Sequence, residues 1–319
     1  MGTAEPAAPV PVERIEVLAY QIPTDGPDGR ESGGTLEWDS TTCVVVLASA
    51  AGQTGVGYTY GDVAVAHLID SKLAGLALGA DALAPAALWR AMFAQLRNLG
   101  RPGAGAMAVA AVDTAVWDLR ARLLGQPLQR SLPAFHDRVP VYGSGGFTNY
   151  PNRAPRPAAH RMGGAGHPAR QEDVTGLHQV RDAGPPGLDI AAGEYGFVLS
   201  DFARLLDSRA VDCLQADVTR CGGITGLLQV AGLAAAHQVD LSAHCAPALS
   251  AHAFCAVERL RHLEYFHDHV RIESMLFEGT LNPAGGALCP DPSRPGLGLC
   301  LRAADAETYL IHRTAHAPG

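Results

Sequence analysis

The spacing of hydrophobic and polar positions changes near residue 133. Before that point, three alternating or β-branched apolar stretches predict strands, at 12–20, 41–49 and 52–60. Apolar positions then recur at helical spacing, which predicts two helices, at 82–99 and 106–124. Three strands followed by helices predict a small α+β domain of antiparallel strands, from about 10 to 130.

After residue 133 the pattern alternates between strands and helices. Five short apolar runs predict strands, at 139–142, 190–193, 213–216, 241–243 and 262–265. Three stretches of helical period lie between them, at 199–207, 224–236 and 248–261. Alternating β and α elements are typical of a parallel sheet covered by helices. We therefore predict a second, β/α domain from about 135 to 300.

This second domain is too short for a complete barrel. From Val139 to the last residue there are 181 residues, whereas a complete (β/α) barrel takes ~250. At ~30 residues per strand–helix unit, the shortfall corresponds to two or three units. The predicted class is therefore α/β, with an α+β capping domain packed on an incomplete TIM-like (β/α) barrel.

Four of the apolar runs end on an ionisable residue, at Glu194, Asp217, His244 and Glu264. Their separations of 23, 27 and 20 residues are close to one strand–helix unit. The C-termini of barrel strands open onto one face, so we expect the four side chains to share a pocket. Taken singly, Asp217 could instead cap a helix, and His244 could be a hydrogen-bonded core residue.

Other ionisable residues have structural interpretations. Asp113 and Asp118 share one predicted helix and could be mistaken for a metal pair. We interpret them as a solvated or arginine-paired helix face, with Asp118 and Arg122 at i,i+4. Four further histidines are interpreted as structural or surface residues: His252, His262, His267 and His269.

The interval 151–171 fits neither a strand nor a helix. It contains four arginines, two histidines and four prolines, with no acidic residue and no hydrophobic period. Such a composition predicts a linker or an irregular loop between the flanking elements.

Composition and charge exclude several classes of function. A net charge of −8 without a basic stripe argues against a nucleic-acid partner. No apolar run approaches the length of a membrane span, and the N-terminal residues lack a signal pattern, so we expect a cytoplasmic protein. The seven cysteines form no CxxC pair. We interpret them as reduced and mostly buried, and zinc ligation by cysteine is not expected.

Four sequence words around the strand ends carry a specific resemblance: IAAGEYGF, LQADVTRCGGITG, LSAHCAPALSAH and RHLEYFHDH. In this order they resemble the enolase superfamily, in its mandelate racemase and muconate-lactonising branch. The words TLEWDSTTCVVV, GVGYTYGD and AVDTAVWDLRARLLGQPL resemble the capping domain of that family. The C-terminal segment 276–312 resembles the family's closing segment, which returns to the cap.

The resemblance implies a role for each of the four residues. Glu194 matches the last of three carboxylates that bind an essential Mg²⁺, and His244 matches the general base. Asp217 matches the carboxylate that orients this base, and Glu264 the acid that binds the substrate carboxylate or its enolate. The implied reaction is Mg²⁺-assisted abstraction of a proton α to a carboxylate, by a racemase, isomerase or acid-sugar dehydratase. It also implies a small carboxylate-bearing substrate and a homo-oligomer.

The chain departs from the family pattern between GGFTNY and DVTGLHQV. The Lys-x-Lys base and the first two metal carboxylates of the family should fall there, and this interval has no lysine and no matching acidic words. The single lysine of the chain, Lys72, lies in an amphipathic stretch that predicts an exposed helix face. We therefore expect weak Mg²⁺ binding. Three alternatives remain: an active enzyme, an inactive remnant, or an interaction protein using the cap and the exposed barrel edge.

Overall fold

The computed structural model of the 319-residue chain describes residues 8–25, 31–32, 37–144 and 173–318. The predicted linker at 151–171 lies outside these residues. None of the helices in the described ranges is both long and apolar enough to cross a bilayer.

The N-terminal elements are five strands and five α-helices. The strands are β1 (Arg14–Pro23), β2 (Glu31–Ser32), β3 (Glu37–Trp38), β4 (Ser40–Ala50) and β5 (Gln53–Gly61). The helices are α1 (Val63–Leu68), α2 (Ala74–Ala77), α3 (Pro85–Gln95), α4 (Ala104–Leu123) and α5 (Leu128–Ser131). A π-helical turn, Ile69–Leu73, joins α1 to α2, and Lys72 is exposed on it, as predicted.

The remaining elements alternate between strand and helix before a closing segment. The strands are β6 (Val139–Ser144), β7 (Ala191–Ala192), β8 (Cys213–Ala216), β9 (Asp240–Ala243), β10 (Leu260–Phe266), β11 (Phe277–Glu278), β12 (Ala287–Leu288), β13 (Cys300–Leu301) and β14 (Leu310–His316). The helices are α6 (Val174–Ala183), α7 (Leu199–Asp207), α8 (Gly223–Ala236), α9 (Pro247–Ala253), α10 (His267–Leu276) and α11 (Ala303–Ala306).

The first sheet is antiparallel, with the order β14-β1-β4-β5. We refer to this sheet and helices α1 to α5 as the cap. The sequence pattern predicted three of its strands. The fourth, β14, comes from the C-terminal segment and pairs with β1 from Ile15 opposite His316 to Tyr20 opposite Leu310. The closing segment therefore returns to the cap.

Strand β4 has apolar residues on both faces because the cap sheet is buried on both sides. Val44 and Val46 point into a core formed with the cap helices. Cys43 and Val45 point the opposite way, into the core that the cap shares with the barrel region. Successive strand residues face opposite sides of a sheet, so burial on both sides requires a continuous apolar run.

Helix α4 packs tightly against β5 at two glycines. A Cβ atom on Gly55 would lie 2.2 Å from the carbonyl oxygen of Ala115, and one on Gly57 would lie 2.1 Å from that of Ala111. Neither distance is sterically possible, so this close approach of strand and helix requires glycine at both positions.

The second sheet contains five parallel strands in the order β6-β10-β9-β8-β7, within the described residues. We call these strands, with helices α6 to α10, the barrel region. Its first strand pairs with its last, as in a closed barrel. Strand β12 pairs antiparallel with the other edge of β6. The predicted α/β class, with a sheet cap and a parallel β/α region, is confirmed.

One predicted helix ends earlier than expected. The pattern predicted a helix at 248–261, but α9 ends at Ala253 and is followed by one 3-10 turn, Phe254–Ala256. Strand β10 then begins at Leu260. Residues 253–257, around the end of α9, are all apolar and buried, so the hydrophobic period alone could not locate the end of the helix.

The prediction of a solvated face for Asp113 and Asp118 is wrong, although Asp118 does pair with Arg122 at 2.8 Å. Both carboxylates are buried because α4 lies between the cap sheet and α8. Asp113 accepts hydrogen bonds from the backbone N–H and the hydroxyl of Thr225, at 2.9 and 2.7 Å. Burial raises the pKa of Asp113 to about 7, and the Thr225 hydrogen bonds oppose that rise.

Asp118 connects three distant parts of the chain. Its carboxylate accepts hydrogen bonds from the backbone N–H of Val56 in β5, from the N–H of Leu297 in the closing segment, and from Arg122. Burial raises the pKa of this carboxyl above its ordinary value, and the Arg122 charge and the two backbone donors offset only part of that rise. Removing such a carboxylate leaves several buried hydrogen-bond donors without an acceptor at once.

We expect Asp118→Ala to lower the free energy of unfolding by about 3–5 kcal/mol, because it leaves Arg122 and two backbone N–H groups without their buried partner. Urea denaturation followed by circular dichroism measures this. The matched control is Asp137→Ala, which removes an exposed ion pair with Arg138 and should cause no measurable change. Equal stability of the two variants would contradict the role assigned to Asp118.

The buried carboxyl of Glu273 should make the free energy of unfolding depend on pH. Glu273 of α10 accepts hydrogen bonds from the hydroxyl of Tyr58 at 2.6 Å and from the N–H of Ala248 at 2.9 Å. Burial raises its pKa from 4.5 to about 8, against the effect of these hydrogen bonds. Between these two pH values the folded protein binds a proton that the unfolded chain has released. The free energy of unfolding should therefore fall as pH rises through this window.

Relative to Glu273→Gln, which mimics the neutral acid, the wild-type protein should lose on the order of 1 kcal/mol of stability per pH unit. Chemical denaturation of both proteins at several pH values between the two pKa values provides the comparison. Stability curves that run parallel with pH would show that Glu273 is already ionised in the folded protein.

Candidate active site

The register of the parallel sheet brings three of the four predicted residues side by side. Ala216 of β8 lies opposite Ala243 of β9, and Ala243 lies opposite Leu263 of β10. The residues that follow these three positions are Asp217, His244 and Glu264. All three therefore lie at the C-terminal edge of the sheet, where barrel strands carry functional side chains.

Asp217 and His244 form a direct hydrogen bond. The Nδ1 atom of His244 lies 2.8 Å from Oδ2 of Asp217. The other oxygen of Asp217 accepts hydrogen bonds from the N–H and the hydroxyl of Thr219, at 2.8 and 2.6 Å. The Arg220 guanidinium lies 3.5 Å from Oδ2. Both carboxylate oxygens of Asp217 are therefore fixed by neighbouring side chains.

The environment of Asp217 keeps its carboxyl ionised. Burial favours the neutral form, but the hydrogen bond from His244, the charge of Arg220 and the hydrogen bond from Thr219 outweigh it. The pKa of Asp217 therefore lies well below its ordinary value. An ionised carboxylate at Nδ1 requires that nitrogen to carry a proton, so the neutral imidazole of His244 presents an unprotonated Nε2.

The Nε2 atom of His244 faces a group of two further ligand atoms. It lies 3.6 Å from Oε2 of Glu264 and 3.4 Å from Sγ of Cys245. The Cys245 thiol is in turn 3.4 Å from the same Glu264 oxygen. Cys245 and Glu264 are buried residues, while the side chains of His244 and Glu264 keep 17% and 11% of their surface exposed to solvent.

Glu194 lies near this group, and its backbone contacts Arg220. Its carbonyl oxygen accepts a hydrogen bond from Arg220 at 3.1 Å, and the same guanidinium lies 4.7 Å from the ring centre of Tyr195. Within the described residues, the Glu194 carboxylate belongs to none of the groups of three potential ligand side chains whose donor atoms lie close together. Three of the four predicted residues form one cluster, and Glu194 is beside it.

Within the described part of the chain, the side chains do not fit a Mg²⁺ site. Mg²⁺ prefers about six oxygen ligands in near-octahedral geometry. In the described part of the strand-end face, Glu194 lacks a carboxylate cluster, and the group at His244 offers nitrogen, sulfur and a single carboxylate. We therefore assign no chemical step to Mg²⁺ in this protein.

The neighbouring histidines make structural contacts. Burial lowers the pKa of His252 to about 3, and its ring contacts Gln129 at 3.1 Å. Burial likewise lowers the pKa of His269 to about 3. This ring stacks on Tyr60 at 3.6 Å between ring centres and accepts a hydrogen bond from the Ala246 N–H.

Sequence reasoning missed Cys245, Arg220 and Thr219. Cys245 directly follows the predicted base, and the other two lie in the DVTR word after Asp217. Adjacency to a predicted catalytic residue was the available signal. It did not predict where the side chains point, which depends on the turns after β8 and β9.

Comparison with known proteins connects this site to a family. Residues 32–132 match the family described as "Mandelate racemase / muconate lactonizing enzyme, N-terminal domain", and residues 167–306 match "Enolase C-terminal domain-like". The crystal structure of a mandelate racemase/muconate lactonizing enzyme-like protein from Rubrobacter xylanophilus is 49% identical, with a TM-score of 0.87. That alignment covers 94% of this chain and all of the other.

Two characterised relatives are more distant. The 3,6-anhydro-α-L-galactonate cycloisomerase of Streptomyces coelicolor is 27% identical, over 91% of this chain and 97% of the relative. The L-talarate/galactarate dehydratase of Salmonella typhimurium is 25% identical, over 81% and 80% of the two chains. A structure of that dehydratase with Mg and L-lyxarohydroxamate has a TM-score of 0.82 to this chain, covers all of it, and covers 98% of the dehydratase. Its 20% identity supports the fold alone.

These alignments also contain long gaps in this chain. The cycloisomerase alignment spans 355 positions, although only 91% of the 319 residues take part. Several dozen residues of that enzyme therefore have no counterpart here, which is about the size of two strand–helix units of ~30 residues. With both family patterns matched in order and the fold shared, the chain belongs to the mandelate racemase/muconate lactonizing enzyme branch of the enolase superfamily.

Proposed function

We propose that this protein exchanges the proton on the carbon α to a carboxylate through the single base His244, with little or no metal-assisted turnover. The observation that carries the proposal is the 2.8 Å hydrogen bond between Asp217 and Nδ1 of His244, which leaves Nε2 free to accept a proton. By resemblance, the two residues correspond to the general base of the family and the carboxylate that orients it.

In the proposed reaction, Nε2 of His244 takes the α-proton and the ring becomes an imidazolium. The buried Asp217 carboxylate stabilises that positive charge, as a carboxylate partner does for a histidine base. Negative charge develops on the substrate carboxylate, and by resemblance to the family Glu264 is the residue that binds it. The imidazolium then returns a proton, exchanged with solvent, to the same face of the carbon.

A second base on the opposite face is not available from lysine. The only lysine of the chain, Lys72, is exposed on the π-helical turn of the cap. Racemisation needs proton transfer on both faces of the α-carbon, so we propose exchange with retention of configuration instead. Loss of a β-hydroxyl, as in a dehydratase, needs stabilisation of a doubly charged intermediate. Without a fitting Mg²⁺ site we propose that it is slow or absent.

The proposed substrates are small hydroxy acids or sugar acids. The names of the relatives support this class, since they include a galactonate cycloisomerase, a talarate/galactarate dehydratase and an L-rhamnonate dehydratase.

We also propose a cytoplasmic location, because all seven cysteines are free thiols, which suits a reducing compartment.

A second candidate function is association through the open edge of the parallel sheet. Within the described residues, β7 pairs only with β8. Exposed Leu188 and Leu199 flank this short strand. Sheet edges with apolar neighbours bind other chains readily. We propose a homo-oligomer that covers this edge, and light scattering coupled to size exclusion tests it: a monomer at all concentrations would exclude it.

We expect His244→Asn to reduce α-proton exchange by at least ~10²-fold, because the variant keeps a similar shape but has no basic nitrogen. The assay is deuterium incorporation from D2O into a panel of α-hydroxy acids, followed by NMR with metal-free protein. The matched control is His178→Asn, an exposed histidine paired only with Asp182 and a loop carbonyl, which should retain the wild-type rate. Exchange that persists in His244→Asn would disprove the choice of base.

Mg²⁺ added to metal-free protein should leave the exchange rate essentially unchanged, because the Glu194 carboxylate lacks neighbouring carboxylate ligands within the described residues. Glu194→Gln should behave like the wild type in the same titration. Isothermal titration calorimetry provides a measurement of binding independent of activity. A rate that rises strongly with Mg²⁺ in the wild type but not in Glu194→Gln would show that a functional magnesium site exists.

A further inference from the structure

The three atoms around Nε2 of His244 form a nearly equilateral triangle. The sides are 3.4 Å from Nε2 to Sγ of Cys245, 3.4 Å from Sγ to Oε2 of Glu264, and 3.6 Å from Oε2 to Nε2. Tetrahedral Zn²⁺ with bonds of ~2.3 Å to sulfur and ~2.0–2.1 Å to nitrogen and oxygen places its ligand atoms roughly 3.3–3.6 Å apart. We propose that His244, Cys245 and Glu264 form a Zn²⁺ site.

The orientation of His244 is the one that a zinc ligand requires. Zinc-binding histidines almost always donate the proton of their other nitrogen to a carboxylate or carbonyl, which fixes the tautomer and raises the basicity of the ligand. Here Nδ1 donates to Asp217 at 2.8 Å, and Asp217 is fixed in turn by Thr219. The ligand and its supporting carboxylate are thus already in place.

The turn that presents Cys245 is strained and well supported. Cys245 and Ala246 have φ angles of 51° and 45°, in the left-handed region that residues with a side chain seldom adopt. The Cys245 carbonyl accepts a hydrogen bond from the Ser250 hydroxyl at 2.8 Å, and the Ala246 N–H donates to His269. Strain that is held by several contacts is common at ligand sites. Here it directs the thiol toward Glu264.

Charge and coordination number also suit zinc. A Cys245 thiolate and a Glu264 carboxylate balance the two positive charges of Zn²⁺. Three protein ligands leave a fourth position for water or a substrate oxygen, as in catalytic zinc sites. Burial and the neighbouring carboxylates raise the pKa of the Cys245 thiol, so the metal must displace its proton on binding. Without metal, the same distances describe a thiol that donates to Glu264.

The other two groups of potential ligands in the described residues contain no sulfur. In one, Asp70 is already hydrogen-bonded by His312 and His316, each at 2.8 Å. In the other, His267 is bonded to Asp25 at 3.0 Å. The Cys245 sulfur therefore distinguishes the proposed site spectroscopically from the other two groups. It also revises the expectation that no cysteine binds zinc, because the ligands come from neighbouring strands rather than from a CxxC word.

Zinc binding and proton exchange use the same nitrogen of His244. A protein loaded with Zn²⁺ has no lone pair at Nε2, so it cannot act as the proposed base. The zinc site therefore goes beyond the proposed exchange function, and either one can fail while the other holds. Exchange is measured on metal-free protein, and zinc is measured by binding alone.

The test is titration of the full-length, metal-free protein with Co²⁺, which replaces Zn²⁺ in tetrahedral sites. We expect one equivalent to produce intense visible d–d bands and a near-ultraviolet thiolate-to-cobalt charge-transfer band, both abolished by added Zn²⁺. Cys245→Ser should lose the charge-transfer band, whereas Cys300→Ser, which changes an exposed cysteine, should keep it. Asp217→Asn should weaken Zn²⁺ affinity by ~10–100-fold, measured with a chromophoric chelator.

Absence of the charge-transfer band, or its survival in Cys245→Ser, would overturn the proposal. Cobalt bands without charge transfer that disappear in His312→Ala would place the metal on the cap instead, which also overturns it. If Cys245→Ser does not fold, X-ray absorption at the zinc edge of the unaltered protein decides the question. One sulfur per zinc supports the site, and a shell of nitrogen and oxygen alone refutes it.

Discussion

The buried carboxylate of Asp118 is the contact that joins the cap to the closing segment. A charge removed from water is tolerated only while all its partners remain in place, and these partners come from β5, from α4 itself and from the closing segment. Asp113, on the same helix, holds Thr225 near the start of α8. That helix follows the turn after Asp217. Through Thr225, Asp113 therefore links the cap to the helix that follows the candidate dyad residue Asp217.

The site itself is built by strand register and by turns. Parallel pairing aligns Ala216, Ala243 and Leu263 across β8, β9 and β10, so the side chains of the residues that follow them lie close together. The turns then decide which atoms face one another. The turn after β8 supplies Thr219 and Arg220 to Asp217, and the strained turn after β9 rotates Cys245 toward Glu264. A single set of side chains can therefore serve as a base or as a soft metal site.

Much of the fold can be predicted from the sequence because its hydrophobic residues recur at clear strand and helix spacings. The β-branched apolar run of β4 predicted a strand, and the even spacing of the strand-end residues predicted a shared site edge. Strand β14 was missed because its alternating residues are only partly buried. The burial of Asp113 was missed because it depends on α8, more than a hundred residues away. Cys245 was missed because only backbone geometry determines where its thiol points.

The pairing of β1 with β14 has a consequence for how the molecule is made. On one side residues 15–20 of β1 pair with β4, and on the other side they pair with residues 310–316. During synthesis, the edge of β1 that pairs with β14 stays unpaired until nearly all of the remaining chain has been made. Contacts of such high sequence separation form slowly, and exposed strand edges attract other chains. Completion of the cap sheet is therefore a late event that requires the C-terminal strand.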